Sequence, residues 1–193
     1  KIELSCSESP KVDKTQLVRL NKEQSIAVSF IGEQAEDKRP IVLNGVTGSG
    51  KTEVYIEIIR KYFQASKQTI LLAPEITLAE HLYNRLQKVF PNSVGIAHSS
   101  YSNSQRLSTW DSCRTGELKI LIGTRSAVWT PMQNLGLIIV DEEHDSSYRQ
   151  QDGFMYSGRD TAIVRAKFEN IQILLGSATP SLETLRNIEI RKF

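Results

Sequence analysis

Residues Gly45-Val46-Thr47-Gly48-Ser49-Gly50-Lys51-Thr52 have the form G-x-x-x-x-G-K-[ST]. Glycines at these positions let a loop curl until consecutive backbone N–H groups point inward at phosphate oxygens. A helix that follows adds the partial positive charge of its N-terminus. The Lys51 ammonium then reaches the β- and γ-phosphates, and the Thr52 hydroxyl ligates Mg²⁺. The chemistry implied is the binding of a nucleoside triphosphate with its metal. The competing reading, a glycine-rich turn without a ligand, is disfavoured because an apolar strand-length run precedes the loop and a helical period follows it.

A second group stands farther along. Leu137-Ile138-Ile139-Val140 runs directly into Asp141-Glu142-Glu143-His144, the form of a Walker B element. In a parallel sheet the carboxyl ends of the strands share one edge, which is also where a phosphate loop sits. Asp141 is then placed to hold Mg²⁺ through water, and Glu142 to orient and deprotonate an attacking water. An acidic cluster after a strand is, taken alone, more often a solvated loop; the phosphate loop upstream reverses that preference. His144 alone would be structural. Beside the acidic pair it can couple the site to another element.

These residues need a scaffold, and the hydrophobic pattern supplies one. Apolar runs of strand length occur at 41–43, 69–73, 94–97, 119–122, 137–140 and 171–175. They are apolar throughout rather than alternating, as strands buried on both faces of a parallel sheet are. Helical spacing recurs between them at 52–63, 78–89, 103–114, 158–168 and 181–190. Strand and helix in alternation predict an α/β domain, a doubly wound and mainly parallel sheet with helices on both faces. Residues 145–157 break the rhythm, with Tyr148, Phe154 and Tyr156 among polar residues. They read either as a surface loop whose aromatics pack back on the domain, or as a loop that touches a partner.

The 193 residues are 39% hydrophobic and carry 24 basic and 22 acidic side chains, a net charge of +2. That balance excludes collagenous, low-complexity and strongly disordered classes, and no apolar run approaches the length of a membrane span. Cys6 and Cys113 lie far apart without metal-ligand spacing, which argues for a reducing compartment and against a zinc site in this chain. Residues 1–15 are polar, include Pro10 and read as a linker or tail; 16–193 read as one domain. Because the chain starts at Lys1, it reads as a piece of something longer.

The motifs together resemble a family. Asp141 to His144 is similar to the DExH box of superfamily 2 helicases, and Gly176-Ser177-Ala178-Thr179-Pro180 to their S-A-T motif. Ala73-Pro74-Glu75-Ile76 and Gly123-Thr124-Arg125-Ser126-Ala127 lie between, in the order such enzymes use for DNA-contacting elements. Leu20 to Gln24 stands where an adenine-recognising glutamine is expected. The wording GVTGSGKTEVY, APEITL, GTRSA, DEEHDSSYRQQ and GSATPSLET most resembles the bacterial replication-restart helicases, from about residue 20 to 185. The resemblance implies a RecA-like P-loop NTPase domain that is the first of two helicase lobes. It implies ATP and Mg²⁺ as cofactors, with Gln24 on adenine and Gly45 to Thr52 on the phosphates. Pro74, Thr124 and Arg125 would lie along the single strand, Tyr148, Phe154 and Tyr156 would form an aromatic loop that stacks on bases, and Ser177 and Thr179 would link hydrolysis to movement.

The same resemblance implies a 3′-to-5′ DNA helicase acting at stalled or branched forks in the bacterial cytoplasm, at the nucleoid. Its partners would be single-stranded and forked DNA, single-stranded-DNA-binding protein and primosome components, with no membrane. The chain stops soon after the S-A-T element, so the second lobe with its arginine fingers, the DNA-binding and winged-helix portions and the family's zinc cysteines are expected to lie outside it. Alone, the lobe is expected to have little or no activity. Plainer roles stay open: Gln24 as a solvated helix-start residue, Arg125 as a surface cation, Ser177 and Thr179 as caps before the last helix. Three other functions also fit parts of the sequence. They are a different superfamily 2 translocase, a P-loop small-molecule kinase, and a nucleotide-dependent docking module without catalysis.

Overall fold

The computed structural model describes residues 11–193. Cys6 and most of the expected tail lie outside the described residues. Six strands form one sheet: β1 (Ile41–Asn44), β2 (Gln68–Leu72), β3 (Val94–Ala97), β4 (Ile120–Gly123), β5 (Leu135–Val140) and β8 (Gln172–Ser177). Their order is β1-β8-β5-β2-β4-β3, and every neighbouring pair is parallel. The helices are α1 (Lys22–Glu33), α2 (Lys51–Gln64), α3 (Ile76–Val89), α4 (Asn103–Arg114), α5 (Gly158–Glu169) and α6 (Leu182–Glu189). The expected strands and helices are all present, with ends moved by a residue or two.

Period-two alternation inside fully buried strands splits the core in two. On one face Leu71, Ile122, Leu137, Ile139 and Leu174 pack with the buried stripe of α2 (Val54, Ile58, Ile59) and with α3 (Leu82, Leu86). On the other, Ile70, Leu72, Leu121, Ile138, Val140, Ile173 and Leu175 pack with Ala162 and Ala166 of α5 and with Ala127 and Val128 of the turn after β4. The two-sided α/β architecture read from the sequence is therefore the observed one. Each fully buried Leu or Ile contributes about 1.5–3 kcal/mol, so the centre of the sheet, where β5 lies between β2 and β8, dominates the favourable side of stability.

Two features depart from expectation. Helix α1 has no counterpart among the helices expected from hydrophobic spacing, because its apolar face is thin and only Val28 and Ile31 are buried. What starts it is a capping box: Asn21 accepts from the Gln24 backbone while the Gln24 side chain accepts from the Asn21 backbone. Second, residues 145–157 are not a plain loop. A 3₁₀ turn (Ser146–Tyr148) leads into a two-stranded antiparallel ladder, β6 (Arg149–Gln150) with β7 (Tyr156–Ser157). Before the expected domain start at 16, Val12 already lies against the core and the Asp13 N–H donates to Val89 O.

Candidate nucleotide and strand site

The carboxyl ends of β1, β5 and β8 place the phosphate loop, the acidic box and the S-A-T segment side by side. β1 pairs with β8 from Ile41–Leu174 to Asn44–Ser177, and the next backbone N–H, of Gly45, donates to Ser177 O at 3.0 Å. Gly50 closes the loop with φ +80°, and a Cβ there would collide with the Gln24 carboxamide. Glycine is needed at that point for its left-handed backbone, and a larger residue would also displace the Gln24 carboxamide. Lys51 opens α2, and its Nζ donates to Gly45 O at 2.8 Å and lies 3.2 Å from Glu142 Oε1. Thr52 follows in the first helical turn.

Gln24 reaches the same loop from α1. Its Nε2 donates to Ser49 O at 3.0 Å, and its Oε1 accepts from the Asn21 N–H at 2.9 Å. Nε2 also lies 3.5 Å from Gly50 O, so the capacity left over is the second lone pair of Oε1. A cavity of about 120 Å³ adjoins it, bounded by Asn21, Gln24, Gly45, Ser49 and Lys51.

Asp141 is buried at the end of β5. Its Oδ1 accepts from the Tyr55 hydroxyl at 2.8 Å, and its carbonyl accepts from the Tyr148 hydroxyl at 2.6 Å. Burial pushes the Asp141 carboxyl above the usual carboxylate range. The Tyr55 hydrogen bond opposes that rise, the neighbouring Glu142 adds to it, and Lys51 draws it down. The same burial carries the Tyr55 and Tyr148 phenols well above their ordinary value. Gly176 faces the Tyr55–Asp141 pair, and a Cβ on it would run into the Tyr55 hydroxyl.

Glu142 turns the chain, in the left-handed region at φ +44°. A glutamate there is uncommon, and such outliers concentrate at functional sites. Its Oε1 faces Lys51, and its Oε2 accepts from the Ala178 N–H at 3.3 Å and lies 3.7 Å from His144 Nδ1. His144 Nδ1 is also 2.8 Å from Ser177 Oγ, which accepts from the Thr179 N–H at 3.0 Å. The structure therefore brings Lys51, Asp141, Glu142, His144, Ser177 and Thr179 into one connected group.

Sequence reasoning passed over three members of this site. Tyr55 sits one helical turn after Lys51. Glu143, whose side chain is fully buried, accepts from Arg159 at 3.0 Å, from the Ser181 N–H at 2.8 Å and from the Thr184 hydroxyl at 3.0 Å. Arg159, at the start of α5, is the third. The acidic box itself signalled Glu143, whereas no local pattern marks Arg159.

The expected strand contacts are arranged differently from one another. Pro74 and Thr124 are half-buried at the carboxyl ends of β2 and β4. The Arg125 guanidinium donates to Ser147 O at 2.9 Å and to Arg149 O at 3.2 Å, bracing the 145–157 segment. Phe154 is 76% exposed at the hairpin tip, and Tyr156 is half-buried against it and Trp129. Tyr148 corrects the expectation of a base-stacking ring. It is 1% exposed, and its hydroxyl donates to Asp141 O at 2.6 Å with Leu72 O 3.1 Å away. The 3₁₀ turn directs its ring inward, where its polar tip satisfies the Asp141 carbonyl, so no face is left for a base.

Residues 21–188 match the family DEAD/DEAH box helicase. The chain belongs to the DEAD/DEAH box helicases. Members of this family use ATP and Mg²⁺, and the phosphate loop with Lys51, Thr52 and Asp141 offers the donor set that such a pair needs. Among the helicases it is similar to replication restart protein PriA of Haemophilus influenzae, with 44% identity over 185 residues, covering 96% of this chain and 25% of that protein. PriA of Chlamydia trachomatis is 47% identical over 177 residues (90% and 24% covered), and PriA of Bacillus subtilis 39% over 173 (89% and 22%). The chain thus spans about a quarter of the length of these relatives. Its fold is that of RecA-like helicase domains. It superposes on RecG bound to a three-way DNA junction with a TM-score of 0.68 at 24% identity, covering 95% of this chain and 25% of that one. The Pyrococcus furiosus Hef helicase domain superposes with a TM-score of 0.65 at 15% identity, covering 94% and 38%. Among the described residues no helix is long and apolar enough to cross a membrane.

Proposed function

We propose that this helicase chain is the ATP-binding lobe of a replication-restart motor, which couples ATP hydrolysis to 3′-to-5′ movement along single-stranded DNA at stalled or branched forks. The single observation that carries this reading is the connected group Lys51–Glu142–His144–Ser177. It joins the phosphate loop, the acidic box and the S-A-T segment at one edge of the sheet. The 39–47% identity to replication restart protein PriA supports restart over another kind of translocation.

Bound Mg²⁺ would supply charge neutralisation and a template for the phosphates. Around it, each residue of the chain has a separate task. Gly45 to Thr52 would cradle the phosphates by backbone N–H groups, and Thr52 and Asp141 would hold the metal. Gln24 reads adenine with the Oε1 lone pair its cap leaves over. Lys51 leaves Gly45 O and Glu142 to meet the γ-phosphate, and the freed Glu142 carboxylate takes the proton of the attacking water. Glu142 also touches the Ala178 N–H, and His144 touches Ser177, so loss of the phosphate is felt by Ser177 and Thr179. Pro74, Thr124, Arg125, Phe154 and Tyr156 lie on the side where the strand passes.

Residues 16–193 would form one lobe, with a second lobe and DNA-binding domains elsewhere in the full-length polypeptide. Single-stranded-DNA-binding protein and primosome components are the expected partners there, in the bacterial cytoplasm at the nucleoid. The test is strand displacement by the full-length polypeptide on partial duplexes with either a 3′ or a 5′ single-stranded tail. Unwinding that requires ATP and a 3′ tail supports the reading. Unwinding from a 5′ tail alone, or none at all, contradicts it.

A further inference from the structure

A cavity of about 530 Å³ opens between α4 and the 125–129 turn, at the β3–β4 end of the carboxyl edge. Trp110 and Trp129 line it and remain 42% and 54% exposed. Two exposed indoles on one concave surface are more than scattered surface apolarity and mark a place where something binds. Arg106 lines the same wall, Arg114, ion-paired with Asp111 at 2.7 Å, lies 6.0 Å from the Trp110 ring, and the lining includes no Asp or Glu. Arg106, the charged residue of the lining, gives an entering strand a cation for its phosphate.

Trp129 also continues a line of rings. It meets Tyr156 edge-on at 5.5 Å, and Tyr156 meets Phe154 at 5.9 Å, so aromatic surface runs unbroken from the hairpin tip to the cavity mouth. Thr124 and Arg125 belong to the same turn as Trp129. Exposed rings beside cations are what sequence-tolerant single-strand binding uses.

We propose that this cavity receives a base of the single strand, stacked on Trp129 and closed by Trp110, with Arg106 meeting the flanking phosphate. The inference rests on the reading of the chain as part of a DNA motor, and it extends the strand path beyond the aromatic hairpin.

The experiment measures binding of fluorescein-labelled oligothymidylate, and of an abasic strand of equal length, to the full-length polypeptide. Trp129→Ala should weaken oligothymidylate binding about tenfold while leaving the abasic strand and ATP bound as before. Trp129→Phe should bind close to wild type, because a ring is retained. If Trp129→Ala does not fold, the tryptophan emission missing from Trp129→Phe gives the readout. That emission should be quenched by oligothymidylate and not by the abasic strand. Unchanged oligothymidylate binding in Trp129→Ala, or equal losses on both strands, overturns the base site while the motor reading stands. Failure of the wild type to bind either strand overturns the motor reading, and this site with it.

Discussion

The Tyr55 hydroxyl, fully buried on the helix that follows the phosphate loop, donates to Asp141 Oδ1 at 2.8 Å. The bond ties α2 to the end of β5, so the carboxylate we propose for the metal is oriented by the same helix that carries Lys51 and Thr52. Tyr55→Phe removes the donor and leaves a buried acceptor without its partner. The expected cost is about 1–3 kcal/mol in urea unfolding. In the full-length polypeptide, a higher Mg²⁺ concentration should also be needed for half-maximal nucleotide binding. An unchanged Mg²⁺ requirement would confine Tyr55 to a packing role.

The charged form of Asp141 carries a folding cost. Burial raises its folded pKa above the ordinary carboxylate value of about 3.9, so its charged form opposes folding. The stability its neutral form contributes is complete below that ordinary value, and it is lost as the pH rises through the folded pKa. Asp141→Asn stays neutral and keeps an oxygen for Tyr55. In the absence of Mg²⁺ and nucleotide it should therefore melt higher than wild type near neutral pH, with the difference shrinking in acid. With Mg-ATP the order should reverse, because ligand binding stabilises wild type more. A melting difference that does not vary with pH would contradict the assignment.

Lys51 and Glu142 separate binding from chemistry. Lys51→Ala should abolish nucleotide binding, read by calorimetric titration. Glu142→Gln keeps the shape but not the base. In the full-length polypeptide it should bind ATP while losing at least about a hundredfold in hydrolysis. Normal turnover by this variant would assign the proton to another group.

Arg159 reaches Glu143 from α5, and Glu143 in turn holds Ser181 and Thr184 ahead of and within α6. Arg159→Ala should lower stability by about 2 kcal/mol by chemical denaturation, because it strips a charged hydrogen bond from a buried carboxylate. Arg159→Lys should recover only part, since a lysine cannot serve Glu143, Asp160 and Ser181 from one fork. Wild-type stability in Arg159→Ala would show that the other donors suffice for Glu143.

The sheet was legible in the sequence because its strands are buried on both faces and so are apolar without interruption, as Leu137 to Val140 shows. The phosphate loop and the acidic box were legible because their chemistry needs residues adjacent in the chain. Helix α1 escaped because a capping box, not a stripe of apolar residues, starts it; the Asn21–Gln24 pair was the available signal. Tyr148 misled for a different reason. An aromatic in a polar segment has the same spelling whether its ring faces solvent or fills the space beneath a strand end. Contacts such as Tyr55–Asp141 and Glu143–Arg159 join distant residues, and only the fold brings them together.

The most direct test of the central claim is steady-state phosphate release from Mg-ATP, by this chain and by the full-length polypeptide, with and without forked DNA. Half of a two-lobe site should turn over little in either condition, while the full-length polypeptide should hydrolyse ATP and do so faster with DNA. Vigorous turnover by this chain alone, indifferent to DNA, would contradict the account and make it a self-sufficient P-loop enzyme.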